Sequence, residues 1–222
     1  MMIAYPAAEI CCELKEDKVL TIVIENQHIF YSMITDIQSQ LEGNSGKFIL
    51  SENFQPLDMR KNTELLTQFV PFTVNQKELI SKLHAMLKKE AVSVSMYQCT
   101  QELLGNISAY LYKLTEEQEM ELTITVPEDI SGILKAFEVR FDDNDLSLSE
   151  KILEYIITSS ELKGKSLFIT VNIRSYLTDK QTEQLFQSLL LKKIHLICIE
   201  SAEHERLKNE EVIIIDKDMC VI

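Results

Sequence analysis

One stretch, residues 163–200, constrains the fold of this chain more than any other. Residues 167–171 are a nearly continuous apolar run rich in β-formers, which is typical of a strand buried on both faces. Thr178, with Gln181 three residues later, predicts a capping box at the start of a helix. A second apolar run follows at 194–199. Because the connection is too long for a hairpin, the stretch is predicted to be a βαβ unit with parallel strands.

The composition predicts a soluble, folded protein. The chain has 222 residues, 45% of them hydrophobic, which suits one large domain or one domain with an inserted subdomain. Its five cysteines lack zinc-ligand spacing, so we expect reduced thiols and a cytoplasmic setting. The N-terminus has no basic signal-peptide region, and no apolar run is long enough to cross a bilayer.

Charge is the feature that is hardest to reconcile with nucleic-acid binding. The net charge is −13, whereas phosphate contacts need a positive surface. The basic residues form local pairs and no long runs: Lys88–Lys89, Lys163 with Lys165, Arg174 with Lys180, and Lys192–Lys193. Such pairs would form a phosphate-binding surface only if the fold or an oligomer gathered them in one concavity.

The first predicted strand–helix junction argues against a nucleotide site. Residues 18–24 are a strong candidate for a buried strand, and Asn26 is predicted to cap the helix that follows. A P-loop needs glycines, whose backbone amides surround phosphate, and a lysine that reaches the terminal oxygens. The junction instead reads IENQ, with a carboxylate at Glu25 and no glycine. We therefore expect no nucleotide phosphate in this loop.

A helical insertion is predicted in the middle of the chain. Two amphipathic helices follow one another without an intervening strand, and Asn75 with Glu78 is predicted to cap the first of them. We predict a helical leg over residues 61–117, inserted into an α/β head made of residues 1–60 and 118–222. Residues 120–124 alternate apolar and polar side chains, which is typical of a half-exposed strand.

Acidic residues are concentrated between positions 116 and 145. On a strand, Glu119 and Glu121 would share a face, and converging carboxylate oxygens are what Ca²⁺ requires. The acidic turn at 142–145 lacks the glycine and the bidentate glutamate of an EF-hand loop. The pattern alone favours a solvated acidic face over a metal site. The sequence contains no Gly-x-Ser-x-Gly elbow, so it does not indicate a serine nucleophile of the α/β-hydrolase type.

In this order the segments resemble one family, the small Csn-type spacer-acquisition protein of type II-A CRISPR systems. The resemblance covers nearly the whole chain. Near the N-terminus it rests on KVLTIVIENQHIFYSMI, and in the middle on LLTQFVPFTVNQKELISKLHAML. Towards the C-terminus it rests on KGKSLFITVNIRSYLTDKQTEQLFQSL and on HLICIES, of which the ITVN…YLT element is the most distinctive part.

The resemblance implies both a fold and a function. The fold is a mostly parallel α/β core like that of P-loop ATPases, without the phosphate-binding motifs, and with an inserted α-helical leg. Family members form homotetrameric rings, bind the ends of double-stranded DNA without sequence preference, and use Ca²⁺ to hold the shape of the ring. They serve spacer capture beside the integrase and the effector nuclease, and have no known catalytic activity. A ring that is acidic outside and positive inside would resolve the charge conflict.

The resemblance also implies site residues. For Ca²⁺ the expected ligands are Glu119, Glu121 and Glu128, followed by Asp129 and Glu138. Relatives can carry further acids where this chain has threonine, at 123 and 125, so the number of metal sites stays open. For DNA the expected contacts are the basic residues that flank the matched strands, namely Lys18, Lys163, Lys165 and Arg174.

Two other functions stay open from the residues alone. The acidic region could serve a metal-dependent nuclease, since two-metal nucleases hold their ions with converging carboxylates, and a divergent ATPase belongs to the same class of alternative. The helical hairpin could instead be the docking face of a protein-interaction adaptor that makes no DNA contact.

Overall fold

A computed structural model describes residues 1–221, which form two compact units. Unit 1 consists of Met1–Val74 together with the chain from Asp143 onward, and unit 2 consists of Asn75–Asp142. Unit 2 is thus an insertion in the sequence of unit 1. The predicted division, with a leg over 61–117, stays a prediction, although its first residues contribute a strand to unit 1.

The secondary-structure elements are numbered in chain order. The strands are β1 (Met2–Tyr5), β2 (Ile10–Glu13), β3 (Val19–Ile24), β4 (Ile49–Glu52), β5 (Gln55–Pro56), β6 (Thr63–Leu66), β7 (Leu167–Val171), β8 (His195–Glu200) and β9 (Glu210–Ile215). The helices are α1 (Gln27–Leu41), α2 (Met59–Asn62), α3 (Lys77–Ala91), α4 (Tyr97–Glu116), α5 (Ser131–Ala136), α6 (Leu148–Lys163) and α7 (Asp179–Leu191).

The centre of unit 1 is a parallel sheet. Within the described chain it has five strands in the order β6-β7-β8-β3-β9, and every neighbouring pair is parallel. All residues of β3 and β7 are buried, as expected for strands covered on both faces. The predicted βαβ unit is confirmed, since β7 and β8 are parallel neighbours joined through α7. Thr178 and Gln181 form the predicted capping box.

The edge strand β6 was missed by sequence analysis. It has four residues, pairs with β7 from Thr63 to Leu66, and lies inside the range assigned to the helical leg. A run this short carries too little periodicity to be recognised, and its pairing partner is about one hundred residues further along the chain. The α/β head therefore extends beyond residue 60.

Helices cover both faces of the parallel sheet. On one face, Ile22, Ile169 and Ile197 join a core cluster that includes Met33 and Ile37 of α1. The same cluster takes in an antiparallel sheet with the strand order β2-β1-β4-β5, which sequence analysis did not identify. On the other face α6 packs against α7, and α7 packs against β8. The fold is therefore α/β, as predicted.

Unit 2 contains α3, α4 and α5. The strand predicted at 120–124 is wrong, because residues 121–127 have no regular secondary structure and Met120 and Leu122 are exposed. Alternation predicts a strand only where a neighbouring strand supplies hydrogen bonds. Asn75 is not the cap of α3; its side chain instead exchanges two hydrogen bonds with the backbone of Phe141, at 2.9 and 3.0 Å.

Candidate functional site

The junction of β3 and α1, where a P-loop protein would hold phosphate, is closed by a side chain. Asn26 caps α1, because its Oδ1 accepts hydrogen bonds from the backbone amides of His28 at 3.0 Å and Ile29 at 3.2 Å. Its Nδ2 donates to the backbone carbonyl of Lys217 at 3.0 Å. The amides of His28 and Ile29 are thus already bonded to a side chain of the protein, and the absence of a nucleotide phosphate from this loop stays a prediction.

A group of charged and polar side chains, most of them buried, lies beside the residues that follow β7, the last residue of β8 and the first residue of β9. We call it the Arg174 cluster, and its members are Arg174, Glu200, Glu210, Thr21 and Asp179. Arg174 Nη1 lies 3.3 and 3.4 Å from the two carboxylate oxygens of Glu210, and Nη2 lies 2.7 Å from Asp179 Oδ1. Thr21 Oγ1 donates to Glu210 Oε1 at 2.5 Å. The side chain of Arg174 is 2% exposed and that of Glu210 is fully buried.

The same cluster holds the loop at residues 201–209. Arg174 Nη2 donates to the backbone carbonyl of Glu205 at 2.9 Å, and the amide of Leu207 donates to Glu210 Oε2 at 2.9 Å. These bonds use Nη1 and Nη2 of the guanidinium inside the fold, whereas its buried Nε has no hydrogen-bond partner in the described chain. Arg174 therefore offers no surface cation to DNA in this structure, which corrects the expectation based on its position beside the ITVN element.

Glu200, like Arg174, is an incompletely paired member of the Arg174 cluster. Its Oε1 accepts a hydrogen bond from the backbone amide of Arg174 at 3.3 Å, whereas Oε2 has no hydrogen-bond partner in the described chain. His204 Nε2 lies 3.6 Å from Oε2, which is too long for a hydrogen bond. Burial raises the pKa of Glu200 to about 7, while the hydrogen bond and charge of Arg174 act in the opposite direction.

Lys163 belongs to a second internal ion pair. Its Nζ lies 2.8 Å from Glu64 Oε1, and only 4% of its side chain is exposed. Ser159 donates to Glu64 Oε2 at 2.6 Å, and the Tyr155 hydroxyl donates to Glu64 Oε1. Because α6 carries three donors to one carboxylate of β6, this pair joins the helix to the edge strand. Lys163 is thus not a surface cation either.

The two remaining predicted DNA contacts differ from each other. Lys165 Nζ donates to the backbone carbonyls of Arg60 at 2.6 Å and Thr63 at 3.0 Å, so it fixes the start of β6. Lys18 is exposed immediately before β3. The structure does not bring the four predicted residues together in one basic surface. A DNA contact at Lys18 stays a prediction.

The predicted calcium ligands do not converge within one chain. Glu119, Glu121, Glu128 and Glu138 are exposed, and no group of three or more His, Cys, Asp or Glu side chains in residues 1–221 is arranged to hold a metal ion. Asp129 Oδ2 instead lies 2.6 Å from Lys88 Nζ, and the hydrogen bonds from Lys88 and Ser131 lower the pKa of its carboxyl. The residues therefore do not fit a calcium site inside one subunit, and calcium binding stays a prediction from the resemblance.

A basic cleft in unit 2 was missed by sequence analysis. The cleft has a volume of about 710 Å³ and is lined by Lys77, Ile80, Ser81, His84, Ala85, Lys88, Ser131 and Lys135. Four of these residues recur on α3 at i, i+4, i+7 and i+11, which places them on one face of the helix: Lys77, Ser81, His84 and Lys88. The spacing was readable in the sequence, but the contribution of α5 was not.

Helix α4 in unit 2 exposes a stripe of apolar side chains. Leu103 is 45% exposed, Tyr110 65%, Leu111 38% and Leu114 46%. Their spacing of three, four and seven residues puts them on one side of the helix, a stripe that an isolated soluble domain would bury. We call this set the α4 stripe.

Comparison with known proteins points to one family. The sequence model of the family described as CRISPR-associated protein (Cas_Csn2) matches residues 40–219. A curated relative, the CRISPR-associated protein Csn2 of Enterococcus faecalis, is 24% identical over 152 residues. That match covers 67% of this chain and 66% of the relative, just under two thirds of its length.

A solved structure shows a weaker likeness. It is cbiO1 from Clostridium perfringens, part of the ABC transporter complex cbiONQ, with 13% identity and a TM-score of 0.44. The superposition covers 88% of this chain and 71% of that one. At this TM-score the likeness supports no inference. No helix within residues 1–221 is both long and apolar enough to cross a lipid bilayer.

Proposed function

Because the chain belongs to the CRISPR-associated Csn2 family, we propose that it binds the ends of double-stranded DNA as a homotetrameric ring during the acquisition of new spacers. The observation that carries the proposal is the family match over residues 40–219, which includes four of the five described strands of the parallel sheet and all three helices of unit 2. Recognition would rest on phosphate contacts and would therefore be independent of sequence.

Self-assembly is supported by the α4 stripe. Its four apolar side chains, Leu103, Tyr110, Leu111 and Leu114, are between 38% and 65% exposed in a single chain. Contiguous apolar surface of this kind is typical of protein–protein contacts. We propose that a second copy of the chain covers the stripe in the tetramer. A subunit contact there would remove these side chains from water.

We propose that the protein is not an enzyme. Asn26 supports this, because its bonds to the amides of His28 and Ile29 occupy the position where an ATPase would hold phosphate. The pairing of Asp129 with Lys88 supports it as well, because a two-metal nuclease needs several carboxylates that face the metal ions.

The proposed setting is the bacterial cytoplasm, where the ring would act beside the other CRISPR adaptation proteins, the integrase and the effector nuclease. A non-catalytic ring that holds a DNA end would present that end to its partners. This part of the proposal rests on family membership alone.

The test compares linear duplex DNA with covalently closed circular duplex of the same sequence. Electrophoretic mobility shifts are measured with Ca²⁺ and with chelator, and light scattering gives the mass of the free protein. We expect a tetramer that retains linear DNA and leaves the closed circle unbound. Binding of both DNAs alike would contradict end recognition. A chain that ignores both DNAs but assembles through α4 would favour the adaptor function, and cleavage in Mg²⁺ would favour the nuclease.

A further inference from the structure

We propose that the basic cleft between α3 and α5 of unit 2 binds a phosphate group. Lys77, His84 and Lys88 of α3 and Lys135 of α5 surround this cleft, together with the hydroxyl-bearing Ser81 and Ser131. Lysine ammonium groups and serine hydroxyls are the common side-chain donors to phosphate oxygens. In a chain of net charge −13, a concavity with this many cationic side chains contrasts with the rest of the molecule.

The cleft is held in shape by contacts at its rim. Lys88 Nζ lies 2.6 Å from Asp129 Oδ2, and the backbone amide of Ser131 donates to Asp129 Oδ1 at 2.7 Å. His84 Nε2 lies 2.8 Å from the backbone carbonyl of Val139. Because a carbonyl only accepts, Nε2 carries the proton and donates, which fixes the orientation of the ring. Lys77 and Lys135 are exposed and can move to meet an incoming anion.

The size and lining of the cleft suit a phosphate that is attached to a nucleotide. A volume of about 710 Å³ is far larger than one phosphate needs and lies within the range of small-molecule sites. Ile80 and Ala85 add an apolar part to the lining, against which a sugar or a base can pack. The phosphate could come from the DNA backbone or from a free nucleotide. The DNA source rests on the proposed function, whereas the nucleotide source does not.

The test uses two matched double variants of the full chain. Lys77→Glu with Lys135→Glu reverses two cations of the cleft. Lys82→Glu with Lys89→Glu reverses two exposed lysines that do not line it, at helical positions turned well away from Lys77. Both variants change the net charge equally, so an effect of total charge would appear in both. Circular dichroism confirms that each variant is folded.

The DNA arm measures affinity for linear duplex at several salt concentrations. We expect the cleft variant to bind about tenfold or more weakly. The slope of log K against log salt should become shallower by about 0.9 for each phosphate that the protein no longer neutralises. The control variant should keep most of the affinity. If wild-type protein binds no DNA at all, the proposed function fails while the cleft is still tested by the second arm.

The nucleotide arm titrates deoxyadenosine monophosphate into each protein by calorimetry. Binding that the cleft variant loses, together with unchanged DNA affinity, would assign the cleft to a free nucleotide. Asp129→Asn removes the carboxylate that competes for Lys88. It should raise the affinity for whichever ligand, duplex DNA or deoxyadenosine monophosphate, the cleft binds. The proposal is overturned if the cleft and control variants behave alike in both arms, or if Asp129→Asn weakens binding in a folded protein.

Discussion

Arg174 Nη1 lies 3.3 Å from Glu210 Oε1 inside the fold, where the two side chains are 2% and 0% exposed. Removal of one member of such a pair leaves a buried charge without its partner, which costs about 3–5 kcal/mol. We therefore expect Arg174→Met to lower the free energy of unfolding by about that amount. The measurement is urea unfolding followed by circular dichroism.

Lys180→Met is the control for this variant, because Lys180 is an exposed cation on the adjacent helix. It should change stability by no more than about 0.5 kcal/mol. A stable Arg174→Met protein with weakened DNA binding would show that the guanidinium reaches the surface, contrary to this structure.

Glu200 predicts a pH dependence of stability. Burial raises its pKa to about 7 from an ordinary value of 4.5, so between these values the folded protein holds a proton that the unfolded chain has released. Stability contributed by this group is therefore lost as pH rises from 4.5 towards 7, at a slope of at most about 1.4 kcal/mol per pH unit. The Glu200→Gln protein should not show this loss of stability between pH 4.5 and 7, because glutamine does not titrate. Parallel unfolding curves of the two proteins at pH 5 and pH 7 would contradict the raised pKa.

Because Lys163 pairs with Glu64 inside the fold, we expect substitutions of Lys163 to lower the stability of the protein. Substitution of a surface lysine that contacts DNA would instead lower DNA affinity. Lys163→Glu puts a second carboxylate beside Glu64, whose side chain is 13% exposed, so thermal stability should fall sharply. Lys163→Met should cost about 1–3 kcal/mol, because Tyr155 and Ser159 still donate to Glu64. Thermal unfolding separates the variants, and DNA affinity per folded molecule should be unchanged for Lys163→Met.

The α4 stripe predicts where assembly can be broken. Leu111→Glu places a charge among the exposed apolar side chains and should shift the protein towards smaller species. Gln101→Glu, on the opposite side of α4, should leave the mass unchanged. Light scattering after size-exclusion chromatography measures both. A tetramer that persists in Leu111→Glu would place the subunit contacts elsewhere.

Any stabilisation of the protein by Ca²⁺ should disappear when the tetramer dissociates. Because no group of three or more ligand side chains within residues 1–221 suits a metal, a calcium site built from Glu119, Glu121 and Glu128 would need carboxylates from a second copy. A ligand that binds only the folded state raises Tm, and the stabilisation grows with the logarithm of the ligand concentration above its Kd. We expect millimolar Ca²⁺ to leave the Tm of dissociated Leu111→Glu protein unchanged. A rise in its Tm would reveal a complete site within one chain.

Sequence reasoning succeeded where local pattern decides structure. The apolar runs of β3, β7 and β8 are typical of strands in the centre of a parallel sheet, and Thr178 with Gln181 marks the start of α7. Asn26 was likewise predicted as a cap from its position alone, and it is one.

It failed where partners are distant in sequence. Glu64 lies 99 residues from Lys163, and Glu210 lies 36 residues from Arg174, so no local pattern shows that these cations point inward. Three of the four cations predicted to contact DNA, namely Lys163, Lys165 and Arg174, are therefore bonded to groups of the protein itself. The cleft was missed for the same reason, since α5 and its Lys135 follow α3 only after α4 and a long loop.

The Arg174 cluster also determines how the loop at residues 201–209 moves. Arg174 donates to the carbonyl of Glu205, and Glu210 accepts from the amide of Leu207, so the loop is held at two points, by a residue that follows β7 and by the first residue of β9. The amide of Leu207 can exchange its hydrogen with solvent only after its bond to Glu210 breaks. We therefore expect hydrogen exchange at Leu207 to report how often the buried Glu210 side chain releases this loop.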